Sequence, residues 1–217
     1  MTAALRPHPW NTGFEWADHL GPHRLLSPEQ VRAFDERGFV VLDDVFSAAE
    51  IAAARKEIDG HEAKVDRWLD GQEGQRSSIA EKGAITFATN LVARSDALAR
   101  FVRHPALLGI VADLVGPDAN LYWDQAVYKK PEKPRRFPWH QDTGYTVTEP
   151  QSYLTCWIAL VDATEDNGCP CVATGLHRAG TYEHTFVDPL GWECFSEPPA
   201  EVVLAPVGAG GVVVFSS

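Results

Sequence analysis

The first third of the chain distributes its apolar residues with the period of an amphipathic helix. Two helix starts are marked by capping boxes, SPEQ at 27–30 and SAAE at 47–50, in which a serine oxygen and the side chain three residues later satisfy backbone amides reciprocally. The pattern predicts a first helix that ends at Gly38, a short buried strand at 39–42, and a second helix that runs toward Gly60.

The spacing of the apolar residues changes after the predicted second helix. Residues 60–83 are polar and weakly periodic, which predicts a loop with a helical piece, and 95–117 predicts two short packed helices. From Asn120 the apolar residues recur with period two. Strand candidates, separated by clusters of Gly, Pro and Asp, are LYWDQAVYKK, SYLTCWIALVD, CPCVAT, EVVLA and GGVVVF.

Helices followed by strands predict an α+β fold built around an antiparallel sandwich or barrel. A length of 217 residues is that of one domain with a substantial core. We therefore expect a single domain over 1–217, mainly helical over 25–117 and a β-sandwich over 118–217.

Composition and charge narrow the function classes. Apolar residues make up 45% of the chain and charged residues 23%, which is typical of a globular protein. The formal net charge of −11 argues against nucleic acid or an anionic membrane as the main partner. The first residues lack the apolar core of a secretory signal, and the four cysteines have no disulfide or zinc spacing. These features predict a cytoplasmic protein with reduced cysteines.

The stretch FPWHQDTGY (137–145) carries the strongest candidate chemistry. Residues two apart on a strand point to the same face, so His140 and Asp142 can bind one ion from one side. Imidazole with a carboxylate oxygen suits Fe(II) or Mn(II), and two histidines with one carboxylate form the facial triad of non-haem iron oxygenases. The alternative is a loop aspartate beside an incidental histidine, because a bare His-x-Asp is common.

Four sequence blocks place this motif in a wider context. They occur in the order SPEQVRAFDERGFVVLDDVFSAAEIAAAR, DQAVYKKP with PWHQD, CWIALVDATEDNGCPCVATGLHRAG, and GAGGVVVF. Together they resemble the phytanoyl-CoA dioxygenase family of Fe(II)- and 2-oxoglutarate-dependent oxygenases over nearly the whole chain. The resemblance implies a double-stranded β-helix (jelly roll, cupin-like) with N-terminal helices packed on the sheet. It also implies hydroxylation of a small-molecule or acyl substrate with Fe(II), 2-oxoglutarate and O2.

The resemblance assigns roles residue by residue. His140 and Asp142 match two of the three iron ligands, and related halogenating enzymes carry Ala or Gly where Asp142 stands, so its carboxylate favours hydroxylation. Gln125 and Trp157 match strands that flank the 2-oxoglutarate pocket, where each either contacts the co-substrate or fills the barrel. Tyr145 either faces the substrate or packs.

The third iron ligand is missing from the matching positions. The family's distal histidine follows the glycine-rich strand that here ends at Phe215, and an arginine for 2-oxoglutarate follows one strand later. We therefore expect a C-terminally truncated domain whose last strands are missing, with an incomplete iron site and impaired activity, which the codons after Ser217 would test. The alternative is a third ligand from His177, which the resemblance makes structural, or from His184, predicted to lie on a strand face.

Two other functions stay open. A non-catalytic jelly-roll domain that binds a small molecule or a protein would show neither bound Fe(II) nor succinate release. A zinc or manganese cupin-type isomerase would usually cluster several histidines on adjacent strands, which this chain does not. The substrate and the oligomeric state are not predicted. An acyl-CoA would favour a basic surface, and the basic run at 129–136 is either that surface or a solvated loop.

Overall fold

In the computed structural model, which describes residues 5–216, the α-helices lie in the first part of the chain. They are α1 (Pro28–Arg37), α2 (Ala48–Asp70), α3 (Asp96–Phe101) and α4 (Pro105–Leu114). Both predicted capping boxes form, around Ser27 and Ser47, so α1 and α2 begin where the sequence predicts. α1 ends at Gly38, whose φ of 84° is the left-handed conformation that glycine adopts without strain.

The second helix is longer than predicted. α2 continues through Gly60, so the first part of the segment predicted as a loop is helical. Leu69 is fully buried, and the buried Glu62 accepts a hydrogen bond from Thr86 at 2.9 Å and pairs with Lys130 at 2.7 Å. In a hydrophobic pattern a glutamate is assigned to the solvent-facing side of a helix. The burial of Glu62 in an ion pair therefore hid the helical periodicity of this segment.

The strands are short and all of their pairings are antiparallel. They are β1 (Phe39–Leu42), β2 (Arg76–Ser77), β3 (Ala80–Glu81), β4 (Ile85–Thr89), β5 (Gln125–Lys129), β6 (Leu154–Ile158), β7 (Cys171–Ala173), β8 (Thr185–Val187), β9 (Gly191–Glu193), β10 (Val202–Leu204) and β11 (Val212–Ser216). Every predicted strand is present. The sequence did not predict β2, β3, β4 and β9, and it placed a strand around His184, where β8 begins one residue later.

A three-stranded sheet, in the order β1-β11-β6, forms the centre of the fold. One face carries Val212 and Val214, which pack with residues of α1 and α4. The other face carries Phe39 and Val213, which pack with Val172 and Val203 of the β7–β10 pair. The sheet is therefore covered by helices on one side and by strands on the other, which confirms the α+β prediction.

A second sheet, in the order β2-β3-β4-β5, covers α2. Ala88 and Ala126 point toward the helix and pack with Ala54 and Ile58. β2, β3 and β4 lie in the part of the chain predicted to be mainly helical, and β4 pairs with β5 from the other part. The β4–β5 pair therefore crosses the predicted division at residues 117 and 118.

None of the helices within residues 5–216 is both long enough and apolar enough to cross a membrane.

Candidate metal centre

The His-x-Asp motif lies where an extended segment turns into a short helix. Trp139 forms an isolated bridge with Phe195, Gln141 is extended at φ −110° and ψ 141°, and a 3-10 turn begins at Asp142. The motif was predicted on a regular strand, but only its first part is extended. Because the backbone at Gln141 is extended, the residues on either side of it, His140 and Asp142, point their side chains to the same side.

His140 and Asp142 converge as predicted. His140 Nε2 lies 3.6 Å from Asp142 Oδ1, and the two side chains are 26% and 22% exposed. His140 Nδ1 lies 2.8 Å from the Pro138 carbonyl oxygen, which can only accept, so Nδ1 carries the proton and donates it. Nε2 is therefore directed to the space shared with Asp142, which is the arrangement of a metal-binding histidine after loss of the Nε2 proton.

Among the residues that the structure describes, two hydroxyl groups donate hydrogen bonds to the Asp142 carboxylate. Tyr145 Oη donates to Oδ1 at 2.8 Å, and Thr155 Oγ1 donates to Oδ2 at 2.7 Å. Burial raises the pKa of Asp142, but the attraction of His140 and the two hydroxyl donors outweigh it, so the net pKa lies below the usual value. Burial by itself would lower the pKa of His140. The attraction of Asp142 outweighs burial, so the net pKa of His140 lies above its usual value.

This donor pair fits a divalent first-row metal. Two ligand atoms, each about 2.1 Å from one ion, lie about 3.0 to 3.4 Å apart, so Nε2 and Oδ1 need to approach by only a few tenths of an ångström. Imidazole and carboxylate are ligands that suit Fe(II). Within residues 5–216, no group of three or more His, Cys, Asp or Glu side chains could hold a metal ion together. The described part of the chain thus offers two candidate ligands, His140 and Asp142.

His184 anchors the motif rather than completing it. Its Nδ1 donates to the Tyr182 carbonyl at 2.9 Å, and its Nε2 accepts the backbone N–H of Gln141 at 2.9 Å. The ring also lies directly over Gly144, where a Cβ atom would overlap it. Both nitrogens are engaged, so the alternative of a third ligand from His184 is wrong in this structure. The residue was predicted on a strand face, but it lies just before β8, buried.

The comparisons with known proteins identify the family. A family model described as phytanoyl-CoA dioxygenase (PhyH) matches residues 34–217, most of the chain. The chain belongs to the phytanoyl-CoA dioxygenase family. This confirms the resemblance inferred from the four sequence blocks.

The curated relatives within the phytanoyl-CoA dioxygenase family are distant and longer. The peroxisomal phytanoyl-CoA dioxygenase of Bos taurus is 26% identical over 174 residues, which cover 76% of this chain and 51% of the relative. The ectoine dioxygenase of Bordetella bronchiseptica is 28% identical over 159 residues, which cover 70% of this chain and 50% of the relative. The chain spans about half the length of these relatives.

Solved structures confirm the jelly-roll fold. The non-heme α-ketoglutarate-dependent carbocyclase SnoK from nogalamycin biosynthesis matches with a TM-score of 0.70 and 27% identity, over 90% of this chain and 78% of that protein. The EctD of S. alaskensis, solved with 2-oxoglutarate and 5-hydroxyectoine, matches with a TM-score of 0.68 and 23% identity, over 98% of this chain and 74% of that protein. The second match shows the fold alone.

The two residues predicted at the 2-oxoglutarate pocket of this phytanoyl-CoA dioxygenase family member both lie on strands. Trp157 is two residues from Thr155 on β6, so it shares the face of the sheet that contacts Asp142. Gln125 begins β5 on the face opposite α2, is exposed, and accepts a hydrogen bond from Trp123 Nε1 at 3.1 Å. Their role in binding the co-substrate stays a prediction.

His177 is structural, as the resemblance implies. It is buried in a short 3-10 turn, its Nε2 donates to the Asp35 carbonyl at 3.1 Å, and its ring meets Trp16 edge-on at 4.4 Å. Its Nδ1 faces Gly38, with no hydrogen-bond partner among the described residues. Burial and the neighbouring charge of Arg178 lower its pKa. His177 therefore joins the end of α1 to the segment after β7 as a neutral ring.

This burial predicts a pH dependence of folding. Above about pH 6.5 the imidazole of His177 is neutral in both states, so its contribution to stability is complete. As the pH falls below that value, the unfolded chain gains the proton first and the free energy of unfolding decreases, by at most about 1.4 kcal/mol per pH unit. Urea unfolding at pH 7.5 and 5.5 should show a smaller decrease for His177→Gln than for the wild type. An equal decrease in both proteins would contradict the assignment.

The basic run before the motif forms ion pairs. Its ammonium and guanidinium groups mostly meet carboxylates: Lys130 with Glu62, Lys133 and Arg135 with Glu81, and Arg136 with Glu193. Lys129 Nζ instead lies 3.4 Å from the Gly168 carbonyl oxygen and 5.7 Å from the centroid of the Phe137 ring. The structure thus favours a paired, partly solvated segment over a free basic surface for an acyl-CoA.

Thr155 was not identified from the sequence, and Tyr145 was assigned only to substrate contact or packing. Tyr145 is half exposed and touches Asp142 through its hydroxyl. The available signal was weak: Tyr145 follows Asp142 by three residues, the spacing of one 3-10 turn. Thr155 shares a face of β6 with Trp157, but its contact with Asp142 depends on how β6 and the motif pack together.

Proposed function

We propose that this chain is the core of an Fe(II)- and 2-oxoglutarate-dependent dioxygenase that hydroxylates a small molecule. His140 and Asp142 would hold the iron, and Gln125 and Trp157 would line the 2-oxoglutarate pocket. When bound, Fe(II) with 2-oxoglutarate and O2 supplies the oxidising power to hydroxylate a C–H bond. The four cysteines are free, in keeping with a predicted cytoplasmic location.

The observation that carries this proposal is the state of the His140 ring. The Pro138 carbonyl fixes the proton on Nδ1, and Nε2 is left facing Asp142 Oδ1. This orientation leaves Nε2 and Oδ1 facing one space, where both can bind one ion. Membership of the phytanoyl-CoA dioxygenase family, whose relatives include a phytanoyl-CoA and an ectoine dioxygenase, supports the same chemistry.

The chain's own residues contribute binding and orientation. His140 and Asp142 are about three-quarters buried, so a ligand at their open side would be partly shielded from water. Trp157 presents an apolar ring on the same face of the central sheet, where it can exclude water from the co-substrate. The ion-paired basic run supports an uncharged or compact substrate in preference to a polyanionic coenzyme thioester.

The proposal is tested by loading the purified chain with Fe(II) under argon and then adding 2-oxoglutarate and O2. We expect one equivalent of bound Fe(II) and a slow release of succinate that requires all three additions. Absence of both binding and succinate would contradict the proposal.

A second candidate is a jelly-roll domain that binds a small molecule without turnover. The specific observation in its favour is that the described residues contain no third ligand grouped with His140 and Asp142. Such a domain would release no succinate at any Fe(II) concentration, so the same assay separates the two candidates.

A further inference from the structure

Each oxygen of the Asp142 carboxylate accepts a hydrogen bond from a different side chain. One donor lies on β6 and the other in the 3-10 turn that begins at Asp142. Thr155 Oγ1 reaches Oδ2 at 2.7 Å, and Tyr145 Oη reaches Oδ1 at 2.8 Å. Both contacts are hydrogen bonds from a hydroxyl to an ionised acceptor, and such bonds are stronger than those between neutral groups.

The two donors differ in how firmly they are held. Thr155 lies within β6, where its backbone pairs with Phe215 of the central strand β11. Its hydroxyl is thus attached to the central sheet of the fold. Tyr145 lies in the same 3-10 turn as Asp142, and the residue is 51% exposed. Water can therefore replace the hydroxyl of Tyr145 more easily than that of Thr155.

We propose that Thr155 and Tyr145 are positioning residues that hold Asp142 with Oδ1 facing His140 Nε2 and thereby set the affinity of the site for its metal. This inference rests on the iron site proposed above. Thr155 binds the oxygen that points away from His140, so it prevents the carboxylate from rotating and offering Oδ2 instead. Tyr145 binds the oxygen that faces His140 and so fixes its direction within the turn.

The chemistry of metal sites gives this arrangement a measurable consequence. Groups that orient a metal ligand typically change metal affinity by about 10- to 100-fold when they are removed. The rigid donor should matter more than the exposed one, because a carboxylate released from β6 must be ordered again when the metal binds. Loss of Thr155 should therefore weaken the site more than loss of Tyr145.

The test is an anaerobic titration of the whole chain with Fe(II), repeated with Co(II), whose visible absorption reports the number of ligands. We expect the dissociation constant to rise about 10- to 100-fold in Thr155→Val and about 3- to 10-fold in Tyr145→Phe. Thr155→Ser restores the hydroxyl and should bind within about 3-fold of the wild type. The Co(II) spectrum of Thr155→Val should also change in shape, which a loss of overall stability alone would not produce.

Tyr122→Phe is the matched control. Tyr122 is another exposed tyrosine, whose hydroxyl lies 2.7 Å from Thr146 Oγ1, so its removal should leave metal affinity unchanged. Wild-type affinity in both Thr155→Val and Tyr145→Phe would overturn the inference while leaving the iron site intact. Equal weakening in Thr155→Ser and Thr155→Val would also overturn it. If the wild type binds neither ion, the iron site itself is refuted and the inference with it.

Discussion

His140→Ala is expected to abolish Fe(II) binding and succinate release together. The substitution removes the Nε2 lone pair that faces Asp142 at 3.6 Å and leaves one carboxylate from the His-x-Asp motif. A single carboxylate does not retain Fe(II) against water and buffer, because imidazole supplies the ligand that selects this metal. The measurement is metal content after gel filtration under argon, followed by the succinate assay.

His61→Ala provides the control for this prediction. His61 lies in α2 and is only partly buried, and its loss should leave both metal content and succinate release unchanged. Wild-type iron content in His140→Ala would show that the metal lies elsewhere. Lost iron in both variants would indicate a general effect of removing a histidine rather than a ligand.

Gly144→Ala is expected to be the most destabilising single-methyl change near the site. The added Cβ would overlap the imidazole of His184, which cannot move aside because both of its nitrogens are bonded and the ring is buried. We expect a loss of about 3 kcal/mol in the free energy of unfolding, at the upper end for overpacking. Urea unfolding of the metal-free chain measures this directly.

A double substitution distinguishes overlap from other causes. His184→Ala alone should destabilise the protein, because it breaks the bonds to Gln141 and Tyr182. It also creates the space that the methyl group needs, so adding Gly144→Ala to it should cost less than about 1 kcal/mol. Additive losses in the double variant would show that the overlap is not the cause.

The sequence predicted those parts of the structure that local rules determine. The capping boxes at Ser27 and Ser47 set the starts of α1 and α2, because a cap depends on four consecutive residues. The convergence of His140 and Asp142 was predicted for nearly the right reason: the backbone is extended through Gln141, although a 3-10 turn replaces the strand from Asp142 onward.

The parts that could not be predicted depend on residues far apart in the chain. The length of α2 rests on Glu62, whose burial is explained by its contacts with Thr86 on β4 and with Lys130 just after β5. The support of Asp142 by Thr155 requires β6 to lie beside the motif. The anchoring of Gly144 by His184 joins two segments about 40 residues apart, and no local periodicity contains that contact.

The central position of β11 in the main sheet affects the rate at which the protein can fold. Its partner β1 lies near the other end of the described chain, and β6 joins the sheet only on the far side of β11. The valines of β11 connect the cluster under the helices to the cluster between the sheets. Neither cluster can be completed until a very long loop has closed, an entropic cost that makes such topologies slow to fold. On the ribosome, the apolar residues of β1 therefore stay unpaired until β11 has emerged.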